Sequence, residues 1–139
     1  MCCSIRLDTE KVKSRVMIHE EICTYEVAKL AKDKGFNEYV EAFYAEGCDI
    51  AHSQGPEKWN EYKGKYAAPT QSLLQRWLRE EKGYYIYPFF DNVQLKWDWV
   101  CREKTGDKWI PLVGFDFHLF ATYELALEDG LKYALKNLV

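Results

Sequence analysis

Two cysteine–histidine pairs are the residues of this chain best suited to chemistry: His19 with Cys23, and Cys48 with His52. Each pair is four residues apart, the spacing that sets two ligands on one helical face. Together they would supply a Cys2His2 set for zinc. The second pair borders a segment rich in loop formers, and short Cys/His spacings arise by chance, so no metal is assigned. Cys23 reads instead as a small core residue. A third combination, Cys101 with His118, would pair a nucleophile with a base. Cys101, however, shares a predicted strand face with Trp97 and Trp99, which predicts a buried thiol of raised pKa. His118 lies in the aromatic run Phe115, Phe117, Phe120 and reads as a hydrogen-bonded, partly buried side chain. No Gly-rich phosphate loop, paired-carboxylate signature or nucleophile elbow occurs. With no base that has an orienting partner, the chain is read as non-enzymatic, with no catalytic residues, no cofactor and no metal.

The elements that would position these groups are legible from punctuation. Residues 1–16 are polar and aperiodic and read as a loosely held extension; a single domain is expected over 17–139. Thr24 is placed to cap a helix, with Glu26 in the first turn, Val27, Ala28, Leu30 and Ala31 on one face, and Gly35 as its stop. Phe36–Tyr44 is amphipathic and aromatic, and both helix and strand fit it. Gly47–Gly64 contains Gly55-Pro56 and few aliphatic residues, so it reads mostly as loop.

Pro69 or Thr70 opens a second helix carrying Leu73, Leu74, Trp77 and Leu78, which Gly83 closes. Tyr84–Phe90 is a β-rich run in which Pro88 marks an edge or a bulge. After a turn at Asp91-Asn92, Gln94–Arg102 alternates as a strand: Leu95, Trp97, Trp99 and Cys101 face one way, Lys96, Asp98 and Arg102 the other. Thr105-Gly106-Asp107 turns the chain into a third strand, Lys108–Val113, whose Pro111 again marks an edge. Thr122 caps the last helix, whose stripe is Leu127, Leu131, Ala134, Leu135 and Leu138. Gly130 costs that helix about 1 kcal/mol against alanine, so a close backbone contact is expected there. The predicted fold is α+β: a three-stranded antiparallel sheet over 84–113, helices 70–82 and 122–137 on one face, and an N-terminal helical segment completing the core.

Composition narrows the function classes. The 139 residues are 47% hydrophobic and 29% charged, which is globular rather than disordered. Formal net charge is −3. Residues 1–66 carry 10 Lys/Arg against 12 Asp/Glu and residues 67–139 carry 9 against 10, so neither half has the basic footprint of a nucleic-acid binder. No apolar run approaches the roughly 18–20 residues that cross a bilayer, so no membrane partner is expected. The N-terminus has no apolar core of a secretory signal. Five cysteines without a Cys-x-x-Cys pair suit reduced thiols in a cytoplasm.

Aromatic residues reach 16%, and their placement is the strongest residue-level signal of function. If Leu95, Trp97 and Trp99 pack under the two C-terminal-half helices, then Tyr85, Tyr87 and Phe89 line the opposite sheet face. Either Thr24–Tyr44 folds across that face as a third layer, or it is an interaction surface for a partner protein or a second copy.

The segments Ala68-Pro69-Thr70-Gln71-Ser72-Leu73-Leu74-Gln75-Arg76-Trp77-Leu78-Arg79-Glu80, Thr24–Lys32 with Lys34-Gly35-Phe36, and Thr122–Leu131 resemble a family of small phage and prophage proteins of Bacteroides-type gut bacteria. The likeness runs from about Glu20 to Val139 and leaves out residues 1–16, as a start at Met17 or an added extension would. It implies a setting, phage or mobile-element DNA in a bacterial cytoplasm, and carries over no catalytic residues. The helix-β-β-β-helix order is also that of double-stranded-RNA-binding domains. Those need basic residues at the start of their second helix, where this chain has Tyr123-Glu124-Leu125-Ala126 and then Glu128-Asp129. The sequence therefore points to a small cytoplasmic accessory protein working through protein contacts, with a nucleic-acid-binding module as the alternative.

Overall fold

Three threonines set the helices of this protein, whose computed structural model describes residues 18–46, 49–112 and 119–139. Thr24, Thr70 and Thr122 each accept a hydrogen bond from the backbone N–H three residues on, at 3.4, 3.2 and 3.1 Å. These caps open α1 (Tyr25–Asp33), α2 (Gln71–Trp77) and α3 (Tyr123–Asn137). Past its seventh residue, α2 widens into a π turn over Leu78–Lys82, which Gly83 ends at φ +80°.

The architecture is mixed helix and strand with open antiparallel sheets. β4 (Tyr84–Asp91), β5 (Lys96–Thr105) and β6 (Lys108–Pro111) form a meander in the order β4-β5-β6. Pro88 and Pro111 both fall on its edge strands, where a missing N–H costs no ladder bond. α3 packs against β4 and β5 on one side and against α1 and α2 on others, so it is the central helix. Its stripe Ala126, Leu127, Leu131, Ala134 and Leu135 is buried. Gly130 permits the close approach: a Cβ there would lie 2.6 Å from Ile86 Cγ2 and 3.0 Å from the Trp99 ring. The Trp99 indole N–H donates to Asp129 Oδ2 at 2.9 Å.

The N-terminal part is more than the predicted helical segment. It holds a second sheet, β1 (Val40–Ala45), β2 (Ile50–Glu57) and β3 (Lys65–Ala67), in the order β2-β1-β3. The expected loop over Gly47–Gly64 thus contains β2. Gly55-Pro56 is tolerated because β2 is an edge strand and because Ser53–Pro56 bulge opposite Glu41 alone, between the pairs Ala42↔His52 and Val40↔Glu57. The Ser53 hydroxyl donates to the Glu41 carbonyl at 2.9 Å and holds that bulge. α1 and this sheet do not form a layer across Tyr85 and Tyr87; α1 packs against α3 and β3 instead.

One carboxylate joins the helix starts. Glu128 of α3 accepts from the Thr24 N–H at 2.9 Å, the Thr24 hydroxyl at 2.8 Å and the Gln71 amide at 2.8 Å. The capping residue of α1 and the first residue of α2 are thereby fixed to α3.

One strand-face expectation needs correction, and one holds with an addition. Leu95 does not share the Trp97 face: it lies in the β4–β5 turn at φ +56° and is 69% exposed. The turn is longer than the expected Asp91-Asn92: it spans residues 92–95, so Gln94 also precedes β5, and Asp91 Oδ1 holds it by accepting from Val93 N–H and Gln94 N–H. Asp98 does face away from the tryptophans, yet it is buried rather than solvated, and its Oδ1 accepts from the Trp99 N–H at 2.7 Å.

Candidate functional site

On the sheet face opposite α3, the β4–β5 register sets Tyr85 across from Arg102 and Tyr87 across from Val100. β6 adds Trp109 from the next strand, across from Lys104. The π turn after α2 brings Arg79 to the same place. These five side chains, Arg79, Tyr85, Tyr87, Arg102 and Trp109, line a shallow open depression of about 530 Å³.

Its walls are aromatic, and its polar groups are two guanidiniums, two phenolic hydroxyls and an indole N–H. The Tyr85 and Tyr87 rings lie 4.8 Å apart, and Trp109 meets Tyr85 edge-on at 6.0 Å. The Arg79 guanidinium sits 5.4 Å over the Tyr85 ring. Arg102 Nε donates to the Tyr87 hydroxyl at 2.9 Å. That bond uses one of five guanidinium N–H groups and fixes the plane of the rest. Arg79 also has Glu80 at 3.7 Å, but that carboxylate oxygen already accepts from Arg76 Nε at 2.8 Å.

Of the predicted surface residues, Tyr85 and Tyr87 come together here. Phe89, opposite Asp98, continues the same strand face but does not line the depression. Arg79, Arg102 and Trp109 are the members sequence reasoning missed. Arg102 was within reach only once the whole turn over residues 92–95 is counted: that sets Asp91 across from Lys96 and Tyr85 across from Arg102, whereas a turn at Asp91-Asn92 alone would pair Tyr85 with Asp98. Arg79 was not, because the π turn that places it leaves no periodic signature in so short a segment.

A second aromatic cluster grows from the segment read as loop. Lys65 Nζ lies 5.0, 5.1 and 5.4 Å from the ring centres of Phe43, Trp59 and Tyr62. Phe43 and Trp59 are themselves 4.3 Å apart, and the Trp59 N–H donates to the Val40 carbonyl at 2.9 Å.

The cysteine–histidine pairs do not assemble. Cys23 is buried just before α1, whereas His19 is exposed in irregular chain, so they share no helical face. Burial, then the Glu128 and Glu21 carboxylates, push the Cys23 thiol well above its ordinary value. His52 is exposed on β2, and Cys48 lies outside the described residues. Cys101 is buried as predicted, and burial with Glu103 beside it pushes its pKa to about 11. Its proposed partner His118, with Phe115 and Phe117, lies outside the described residues, as do 1–17 and Val113. Among the described residues, no group of three or more His, Cys, Asp or Glu is arranged to hold a metal, and no helix is long and apolar enough to cross a membrane. Comparison of the chain with family models, curated proteins and solved structures finds no match.

Proposed function

We propose that this is a small non-enzymatic accessory protein of phage or prophage type that acts in the bacterial cytoplasm through protein contacts made by the β4–β6 face. The observation that carries this reading is the convergence of two tyrosines, a tryptophan and two arginines in one open depression. Tyr, Trp and Arg are the residue types that dominate binding energy at protein interfaces. Their rings present large contact area at little entropic cost, and each has a polar tip for orientation. The platform beneath them is rigid, because α3 closes on β4 and β5 with Gly130 in direct contact. Free Cys23 and Cys101 are in keeping with a reducing compartment. The nucleic-acid alternative, built on the topology of a double-stranded-RNA-binding domain, meets Glu124 in the first turn of α3, a carboxylate where phosphate would have to sit.

Tagged protein recovered from a Bacteroides-type host tests the reading, with sedimentation to detect self-association. A protein partner or second copy held by the native chain and lost on Tyr85→Ala or Trp109→Ala is the expected result. Recovery of nucleic acid alone, with binding that falls steeply as salt rises, would overturn it.

A further inference from the structure

We infer that the β4–β6 depression is a carboxylate-binding site and that the segment docking there is an acidic peptide. The inference rests on the contact surface proposed above and names the chemistry of its occupant.

The donor inventory carries it. Among the described residues, the terminal nitrogens of Arg102 have neither a hydrogen-bond nor an ion-pair partner, its Nε alone being spent on Tyr87. The Tyr87 hydroxyl, having accepted that bond, keeps its own proton to donate. The Glu80 carboxylate beside Arg79 is shared with Arg76. The Trp109 indole N–H adds another donor at the wall. The described lining therefore offers donors and fixed positive charge, and no Asp, Glu, Asn or Gln.

Such a lining complements a group that only accepts. A carboxylate has two acceptor oxygens in a plane that matches the guanidinium fork. A nucleobase presents amino donors as well, for which this lining offers only the two tyrosine hydroxyls as acceptors. The choice of basic residue points the same way. Arg76, Arg79 and Arg102 are the arginines among the described residues, and two of the three line this depression, while lysine serves elsewhere. Lysine suffices for a solvated charge; arginine is needed where planar, two-pronged recognition matters. All this occurs in a chain of net charge −3, so the local positive field runs against the whole. Lys104, two residues along from Arg102 and opposite Trp109, adds a further exposed cation to this face.

Selection of a displayed random-peptide library on the full chain tests the inference, followed by anisotropy titration of the enriched peptides. Peptides rich in Asp and Glu should be enriched, and their Asn/Gln versions should bind at least about tenfold more weakly. Arg102→Lys keeps the charge and loses the fork, so it should also weaken binding about tenfold, and Arg102→Gln more. Lys132→Gln, a cation of α3 outside the depression, should leave binding unchanged. Failure to enrich acidic peptides, equal binding of the amide versions, or an Arg102→Gln variant that binds as the native chain does would each overturn the inference. So would stronger competition by inorganic phosphate or a single-stranded oligonucleotide than by free glutamate peptide. A natural partner lost on Trp109→Ala yet kept on Arg102→Gln would sink the carboxylate site and leave the contact surface standing.

Discussion

The two aromatic clusters use the same residue types to opposite ends. Around Lys65, three rings close on one ammonium, and the cation is held within its own fold. Around Arg102, three rings open onto a depression, and the guanidinium spends one N–H on Tyr87 while its terminal nitrogens stay unclaimed among the described residues. Three rings beside an ammonium favour its charge where it stands, whereas a guanidinium held by one N–H is oriented and keeps further donors. Composition alone cannot separate the cases, because lysine or arginine beside Tyr and Trp describes both. What separates them is where the neighbours' rings and acceptors lie.

The largest effect that sharpens this contrast reads the platform under the open cluster. Cys101 lies in β5 directly across from Ile86, and its pKa is pushed up to about 11. At pH 8 a thiol of that pKa is thiolate to about one part in a thousand. Alkylation followed by mass mapping should therefore show Cys101 protected in the folded protein and labelled once urea unfolds it. The sign of the pH dependence follows. The folded thiol holds its proton to higher pH than the unfolded one, so this group's contribution to stability falls as pH rises from about 9 towards 11. Rapid native labelling of Cys101 at pH 8 would mean that the sheet is not the firm base the open cluster requires.

Gly130→Ala comes next. Its methyl would meet Ile86 Cγ2 at 2.6 Å, and neither that side chain nor the Trp99 ring is free to retreat. Urea denaturation should show a loss of about 3 kcal/mol, at the upper end for overpacking, despite the better helix propensity of alanine. An unchanged midpoint would refute the close packing of α3 on β4 and β5.

Lys65→Ala against Arg102→Gln breaks or confirms the comparison most directly. Removing the Lys65 ammonium should cost about 1–2 kcal/mol of stability, summed over its cation–π contacts with Phe43, Trp59 and Tyr62. Arg102→Gln should cost about 0.5–1 kcal/mol, the worth of the one part-buried hydrogen bond it gives up to Tyr87. If Arg102 proved the costlier residue, its role would be to hold the fold, and the contrast would collapse.

The smallest expected change lies in the β4–β5 turn. Leu95 adopts φ +56° with its side chain largely in solvent. Leu95→Gly should stabilise the protein by about 0.5–1 kcal/mol by relieving left-handed strain. A loss of stability would show that Leu95 makes contacts worth more than that strain.

Local signals were legible where they are strong within a few residues. Thr24, Thr70 and Thr122 cap helices because a β-region threonine can reach the N–H three residues on, whatever packs around it. Pro88 and Pro111 marked edge strands because proline lacks a ladder donor anywhere. Gly130 announced a close contact by its cost to the helix. β2 was misread for the complementary reason: Gly55-Pro56 is a loop signal locally, and pairing with β1 through a bulge overrides it. Leu95 was misplaced because alternation was extended one step too far, into a turn governed by Asp91.

The order of residues along the chain settled the helix starts and stops, the three-stranded meander and the burial of Cys101, since each depends on interactions between near neighbours or on the period of a single element. Tertiary structure alone decided that α1 would pack against α3 and β3 and leave Tyr85 and Tyr87 uncapped by that layer. It alone brought Arg79 from a π turn, Arg102 from β5 and Trp109 from β6 into one depression. The reason is distance along the chain: an anion site made from three separate elements depends on strand register and helix placement, which no local pattern encodes.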